Sequence, residues 1–160
     1  MQGGASPLRI PPDTPLGMGN CGIIAVAMLA RVSHATALAA VDLARRNRIG
    51  TAPLKKSELS CGFGEEWRGA TTQMMRDHAL RSLGIRFETR HVQDGGHPRQ
   101  PLQTPAARLP MGETCMVSVR GHTMILRGGL VHDQECPAGL PVARHWCARR
   151  MVTFVTRRLA

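Results

Sequence analysis

The segment after Cys21 predicts a helix that is apolar around its whole circumference. Residues 22–30 read GIIAVAMLA, with no charged or hydroxyl side chain before Arg31. A helix on a protein surface keeps a polar face, whereas a helix without one must be covered on all sides. The sequence therefore predicts a buried helix from Cys21 to about Arg31, and the rest of the chain has to fold around it.

Cap and breaker residues predict two more helices. Ser33 is a favourable N-cap for a helix over residues 34–46, whose apolar positions follow helical spacing and whose last turn is basic. A third helix is predicted to start after Thr71 and Thr72 and to end at Gly84.

The last third of the chain predicts strands. Residues 85–89 alternate between apolar and polar side chains, and Gly128–Gly129 marks a tight hairpin turn. Helices followed by antiparallel strands are typical of the α+β class, which is the fold class we expect. Besides 85–89, strands are predicted at residues 114–119, 122–127, 130–133 and 150–157.

Length and composition indicate one domain preceded by an arm. A chain of 160 residues is long enough for a single layered core. Residues 1–18 are rich in proline and glycine and are predicted to form an extended N-terminal arm, with residues 19–160 as a single domain. Residues 93–110 carry further prolines and glycines and are predicted to be a long surface loop.

Cysteine usage and the N-terminus bear on the compartment. The five cysteines are an odd number without C-x-x-C pairs, and the first residues lack the basic and apolar regions of a secretory signal. No apolar run approaches the roughly 18 residues of a membrane span. These features predict reduced thiols, a cytoplasmic protein and no membrane partner. Four cysteines are predicted to be small buried hydrophobes, namely Cys61, Cys115, Cys136 and Cys147.

The charge indicates an attraction to anionic partners. The formal net charge is +10, with 21 Lys and Arg against 11 Asp and Glu, and such a charge favours acidic substrates or an acidic protein partner. The basic residues are scattered and aromatic residues make up only 3% of the chain. Since single-stranded nucleic acids are usually bound by stacking on aromatic side chains, a solvated basic surface is favoured over a nucleic-acid interface.

Three residues have the pattern of an activated thiol. Cys21 opens a helix beside Asn20, and a helix N-terminus lowers the pKa of a thiol while its N–H groups can hold an oxyanion. His122 begins a predicted strand and can act as the base. Asp133 follows across the predicted hairpin and can orient the imidazole. The predicted roles are nucleophile, base and orienter.

A zinc site is the competing interpretation. Four potential ligands fall close together near the C-terminus, but no C-x-x-C pair anchors them and their spacing matches zinc sites loosely. We therefore predict no metal and no cofactor. The remaining histidines have no partner pattern and are expected on the surface or on helix faces. The four potential ligands are His132, Cys136, His145 and Cys147, and the remaining histidines are His34, His78, His91 and His97.

Residues 16–135 resemble the papain-like cysteine peptidase superfamily, in the compact form found in bacteriophage and bacterial proteins. The resemblance lies in Asn20-Cys21-Gly22 before an Ala-rich helix, in Gly121-His122, and in a short hairpin that ends at Val131-His132-Asp133. The segment from Arg68 to Gly84 is similar to the linking part of such proteins.

The resemblance implies a fold and a reaction. It implies N-terminal helices carrying Cys21 packed on a C-terminal antiparallel sheet carrying His122 and Asp133, with hydrolysis of an amide bond in a protein or peptide through a thioester. A phage-encoded protein of this type would act in the host cytoplasm or the virion. Papain-like enzymes usually place an oxyanion Gln about six residues before the cysteine, where this chain has Pro15, and Asn20 can serve instead.

Two alternatives belong to other functional classes. One is a papain-fold protein with a weak or inactive site that acts by binding, as a virion component or a binder of a host factor; Pro15 and the positive charge favour it. The other is a small nucleic-acid-binding protein, whose affinity would fall steeply with salt.

Overall fold

The computed structural model describes residues 8–15, 20–47, 49, 71–92, 100–103 and 112–160. Within them the chain is α+β, with three α-helices followed by an antiparallel sheet of six strands. The helices are α1 (Cys21–Ala30), α2 (His34–Arg46) and α3 (Gln73–Ser82).

The six strands form one sheet in the order β1-β6-β2-β3-β4-β5, and every neighbouring pair is antiparallel. The turn between β3 and β4 is the predicted Gly128–Gly129 pair, and both glycines have positive φ, as a tight hairpin turn requires. The strands are β1 (Phe87–His91), β2 (Thr114–Val119), β3 (His122–Arg127), β4 (Leu130–His132), β5 (Leu140–Pro141) and β6 (Val152–Arg158).

Local capping contacts explain where α2 and α3 begin. The Ser33 hydroxyl accepts a hydrogen bond from the Thr36 N–H at the start of α2, and the Thr72 hydroxyl accepts from the Met75 N–H at the start of α3. Each contact satisfies one of the backbone donors that a first helical turn leaves free. The predicted caps at Ser33 and Thr72 are therefore confirmed.

The C-terminus of α3 corrects one strand boundary. Gly84 has a φ of +72°, and its N–H and that of Ile85 donate to the carbonyls of Arg81 and Leu80. This is the glycine-terminated motif that commonly closes a helix. Ile85 therefore belongs to the helix end, and the strand predicted at 85–89 begins two residues later, at Phe87.

The core lies on both faces of the sheet. Helix α1 is buried from Gly22 to Ala30, as its sequence predicts, and packs with α2, α3 and one face of the sheet. On the opposite face, alternate residues of β2 and β3, such as Val117, Met124 and Leu126, pack against Leu102, Val142 and Cys147. A short 3₁₀-helix, Val142–Arg144, follows the edge strand β5 and contributes Val142 to this second layer. The sequence analysis predicted neither the 3₁₀-helix nor β5.

Part of the predicted arm packs on the domain. Leu8 and Ile10 contact the helical side of the core, and both carboxylate oxygens of Asp13 accept hydrogen bonds, from the N–H groups of His34 and Ala35. An acidic group is favourable at a helix N-terminus, so Asp13 anchors the arm to α2. Several predicted features lie outside the described residues. They are residues 1–7 and 16–18 of the arm, Cys61, the segment Arg68–Ala70 and most of the loop predicted at 93–110.

No single helix in the described part of the chain is long and apolar enough to cross a membrane. Helices α1 and α2 together meet that length and composition, but the chain bends by 114° between them.

Candidate active site

Cys21 lies at the first position of α1 and is partly exposed, whereas the rest of the helix is buried. The next residue, Gly22, lies so close to Thr71 that a Cβ atom at position 22 would overlap the Thr71 side chain. The start of α1 is thus held against the segment that leads into α3. Within the described residues the N–H of Cys21 has no acceptor, as expected for the first turn of a helix.

His122 and Asp133 meet across the hairpin of β3 and β4. His122 is the first residue of β3, and Asp133 directly follows β4, whose register pairs Ile125 with His132. The Nε2 atom of His122 lies 2.8 Å from Oδ2 of Asp133. The Cys21 side chain also interacts with His122, which lowers the pKa of the thiol and raises that of the imidazole. Because Nε2 is engaged by Asp133, Nδ1 is the ring nitrogen left for the thiol. The structure therefore brings the three predicted residues together.

The Asp133 carboxylate receives five donors. Oδ2 accepts from Nε2 of His122 and from Nε2 of His145, at 2.8 and 3.0 Å. Oδ1 accepts from the N–H groups of Glu135 and Cys136 and from the Cys136 thiol, at 3.0, 3.0 and 2.9 Å. Burial alone would raise the pKa of Asp133, but these donors outweigh it and hold the pKa far below its usual range. Asp133 is a fixed buried anion.

His145 is a site residue whose place beside Asp133 the sequence analysis did not predict. Its Nδ1 accepts a hydrogen bond from the Cys147 N–H at 3.1 Å, so its proton resides on Nε2 and points at Asp133. His145 therefore helps to hold the Asp133 carboxylate, which is hydrogen-bonded to His122. The sequence carried no signal of this role, because the segment that bears His145 folds back through elements of two or three residues.

The same three groups could in principle hold a metal ion. Ligand atoms of His122, Asp133 and His145 lie within 4.8 Å of one another. Histidine ligands of metals normally donate their second ring N–H to an acceptor, whereas Nδ1 of His145 faces a donor, the Cys147 N–H. This arrangement favours the hydrogen-bonded form over a metal site.

The four-ligand zinc set considered from the sequence does not gather in the described residues. Cys136 donates to Asp133 and to the Val131 carbonyl, Cys147 is fully buried, and His132 faces the Pro137 carbonyl. The predicted burial of Cys115 and Cys147 is confirmed, while Cys136 is only partly buried.

The thiol and the imidazole shift each other's protonation. Burial raises the pKa of Cys21, but the His122 hydrogen bond and charge, the Thr123 N–H and the charge of Arg76 outweigh it, so the pKa lies below its usual value. Burial lowers the pKa of His122, but Asp133 and Cys21 outweigh it and raise the pKa to about 9. Opposite shifts of this kind favour a thiolate–imidazolium pair at neutral pH.

The other described cysteines are shifted in the opposite direction. Burial raises the pKa of Cys115 to about 11 and that of Cys136 and Cys147 to about 12. A thiol with such a pKa is almost entirely protonated at neutral pH and is a poor nucleophile. Among the described cysteines, Cys21 alone combines a lowered pKa with exposure.

An aromatic and cationic surface borders the imidazole. Trp146 is half exposed, and its ring centroid lies 5.2 Å from that of His122. The guanidinium of Arg150 stacks 4.8 Å above the Trp146 ring and donates to the Arg120 carbonyl. Arg120, Arg149 and Arg150 are exposed and form no ion pair with a described acidic residue.

Asn20 is placed differently from the sequence-based expectation. Its side chain is buried at 3% exposure, and its Nδ2 lies 2.9 Å from Nε2 of His34. His34, expected on the surface or on a helix face, is the first residue of α2 and is buried at 4%, so the helix-face alternative holds and the surface alternative does not. The oxyanion role of Asn20 stays a prediction, with one N–H of the amide already engaged. Pro15 is exposed, and its carbonyl accepts from the Gln134 amide.

Comparisons with protein-family models, with curated proteins and with solved structures find no match for this chain. The candidate site is therefore defined by its own geometry and charges: a thiol of lowered pKa at a helix start, an imidazole that interacts with it, and a buried carboxylate that five donors hold in place.

Proposed function

We propose that the protein is a papain-like cysteine hydrolase, most directly a peptidase, in which Cys21 is the nucleophile. The observation that carries the proposal is the position of His122, whose Nε2 is hydrogen-bonded to Asp133 and whose ring interacts with the Cys21 thiol. An α-helical layer that carries the thiol and an antiparallel sheet that carries the imidazole agree with the papain-like arrangement.

The chemistry follows from the protonation states. The Cys21 thiolate attacks the carbonyl carbon of an amide, and the N–H of Cys21 binds the oxyanion that forms. The His122 imidazolium then gives its proton to the leaving amine, which leaves an acyl thioester on Cys21 and a neutral imidazole. His122 next removes a proton from water, the hydroxide attacks the thioester, and release of the acid restores the pair. Asp133 stays ionised throughout and stabilises the imidazolium.

The surface beside His122 favours an acidic substrate. Trp146 and Arg150 lie on the imidazole side of the sulfur, where a leaving group would sit, and Arg150 has no described acidic partner. Because the chain carries a net charge of +10, an acidic peptide is also attracted over longer distances. We expect cleavage of acidic peptides to slow with rising salt more than cleavage of neutral ones.

Selective alkylation tests the activated thiol. Iodoacetamide at pH 6.5 is expected to label Cys21 at least tenfold faster than any other cysteine of the folded protein, because only a thiolate reacts. Labelling sites and rates are read by peptide mass spectrometry. The His122→Ala variant is expected to lose this selectivity, and His132→Ala is the matched control. Equal rates at all cysteines, unchanged in His122→Ala, would refute the proposal.

A binding protein with a weak site is the second candidate, and two observations favour it. Pro15 stands where papain-like enzymes carry an oxyanion Gln, and the Asn20 amide is engaged by His34.

Reaction with p-nitrophenyl acetate separates the hydrolase from the binding protein. A burst of one nitrophenol per Cys21 followed by steady turnover supports the hydrolase. A burst without turnover supports the binding protein with a reactive but inefficient site.

A further inference from the structure

Arg76 is a buried cation without a carboxylate partner. It lies on α3 with 5% of its surface exposed, and it forms no ion pair within the described part of the chain. Its Nε has no hydrogen-bond partner among the residues that the structure describes. Burying a guanidinium is costly unless a negative charge compensates it, so its retention at this position needs a reason.

The adjacent acid does not supply that charge directly. The Asp77 carboxylate accepts hydrogen bonds through Oδ1 from the Gln73 amide and the Thr89 hydroxyl, at 2.7 and 2.9 Å, and makes no ion pair with Arg76. The described partners of the guanidinium are all neutral oxygens. They belong to Thr71, Gln73 and Ser118.

These bonds lead to both sides of the candidate site. On one side, Nη1 donates to the Thr71 hydroxyl at 2.7 Å, and Thr71 packs against Gly22, next to Cys21. On the other side, Nη2 donates to the Ser118 hydroxyl at 3.0 Å.

The second contact continues to the strand that carries His122. The Ser118 hydroxyl lies 3.3 Å from the Thr123 hydroxyl, and the Thr123 N–H is one of the groups that lower the pKa of Cys21. Arg76 therefore connects the start of α1 with the start of β3, the two elements that carry Cys21 and His122.

We propose that Arg76 is a positioning residue of the cysteine site: its buried guanidinium is the counter-ion of the Cys21 thiolate and holds α1 and β3 at the distance that the Cys21–His122 contact requires. The inference rests on the proposed thiol chemistry and adds to it a second, permanent positive charge. Unlike His122, Arg76 keeps its proton at neutral pH in every step, so it stabilises the thiolate both before attack and when hydrolysis of the thioester releases the sulfur.

The pH dependence of Cys21 alkylation tests this role. Iodoacetamide rates measured from pH 4 to 10 give the midpoint at which the thiolate forms in wild type, Arg76→Met and Arg76→Lys. Removing the charge is expected to raise the midpoint by about one pH unit, which makes labelling at low pH about tenfold slower. Arg76→Lys keeps the charge and is expected to stay within a few tenths of a unit of wild type. Arg81→Met, an exposed residue on the same helix, is the control.

The outcomes separate the inference from the proposed function. An ordinary thiol midpoint in wild type would refute the activated site itself. A low wild-type midpoint that Arg76→Met leaves unchanged, or that Lys and Met raise equally, would refute only the counter-ion role. If Arg76→Met does not fold, Thr71→Val serves instead, because it removes the hydroxyl acceptor of Nη1, leaves only the Thr71 carbonyl, and does not change the charge. It is expected to raise the midpoint by a few tenths of a unit, and no change would overturn the inference.

Discussion

Replacing Asp133 by Asn tests the site most directly, because the change is isosteric and removes only the charge and one acceptor. Five donors now converge on the carboxylate. The Asn side chain presents an NH₂ group, which cannot accept a hydrogen bond, to some of these five donors. His145 cannot adapt, because its Nδ1 already accepts from Cys147 and its proton must stay on Nε2. His122 must therefore move its proton to Nδ1, where it faces Cys21 and can no longer accept the thiol proton.

The size of the effect follows from the pKa of His122. Its rise from 6.5 to about 9 corresponds to roughly 3 kcal/mol in favour of the imidazolium, since each pKa unit is worth about 1.4 kcal/mol. Asp133 supplies a major part of that rise. Losing even half of that rise shifts the ratio of the thiolate–imidazolium pair to the neutral pair about tenfold toward the neutral pair.

Two measurements check the prediction. Iodoacetamide labelling of Cys21 in Asp133→Asn is expected to slow by about tenfold or more at pH 6.5 and to approach the wild-type rate at pH 10, where a thiol of ordinary pKa is ionised. The NMR titration of His122 is expected to shift from near pH 9 to a clearly lower pH. Glu135→Gln is the control, because it removes a neighbouring charge that is exposed. A labelling profile in Asp133→Asn identical to wild type would show that Asp133 does not support the pair.

Three further predictions follow from single contacts. Gly22→Ala is expected to lower the thermal midpoint by about 4 °C or more through the clash with Thr71, and adding Thr71→Ala should recover part of the loss; a neutral effect would contradict the packing. Asp13→Ala removes the acceptor for the first two N–H groups of α2, so the urea midpoint is expected to fall, and an unchanged midpoint would argue against this cap. Cys21→Ala removes the thiolate but leaves the carboxylate partner of His122, so NMR titration is expected to show a His122 pKa below about 9 and still above 6.5; a value unaffected by Cys21 would exclude an ion pair.

Local sequence signals predicted most of the helices and strands. Ser33 and Thr72 act through their own hydroxyl groups on the backbone three residues away, so such caps are visible in a short window of the sequence. The Gly128–Gly129 turn is equally local, since only glycine adopts that backbone readily. The boundary at Ile85 was misplaced because an alternating pattern does not show where the preceding helix ends.

The sequence by itself determined the α+β class and the buried helix α1, because composition and periodicity act through burial and backbone preference within one element. It also singled out Cys21, His122 and Asp133, since a helix start and a hairpin place side chains predictably. Only the tertiary structure placed His145 on Asp133 and Arg76 between α1 and β3. The His145–Asp133 and Arg76–Ser118 contacts join residues that are 12 and 42 positions apart, and no local sequence pattern specifies them. The sequence thus indicates which groups are reactive, whereas the packing of helices against the sheet decides which charges and donors surround them.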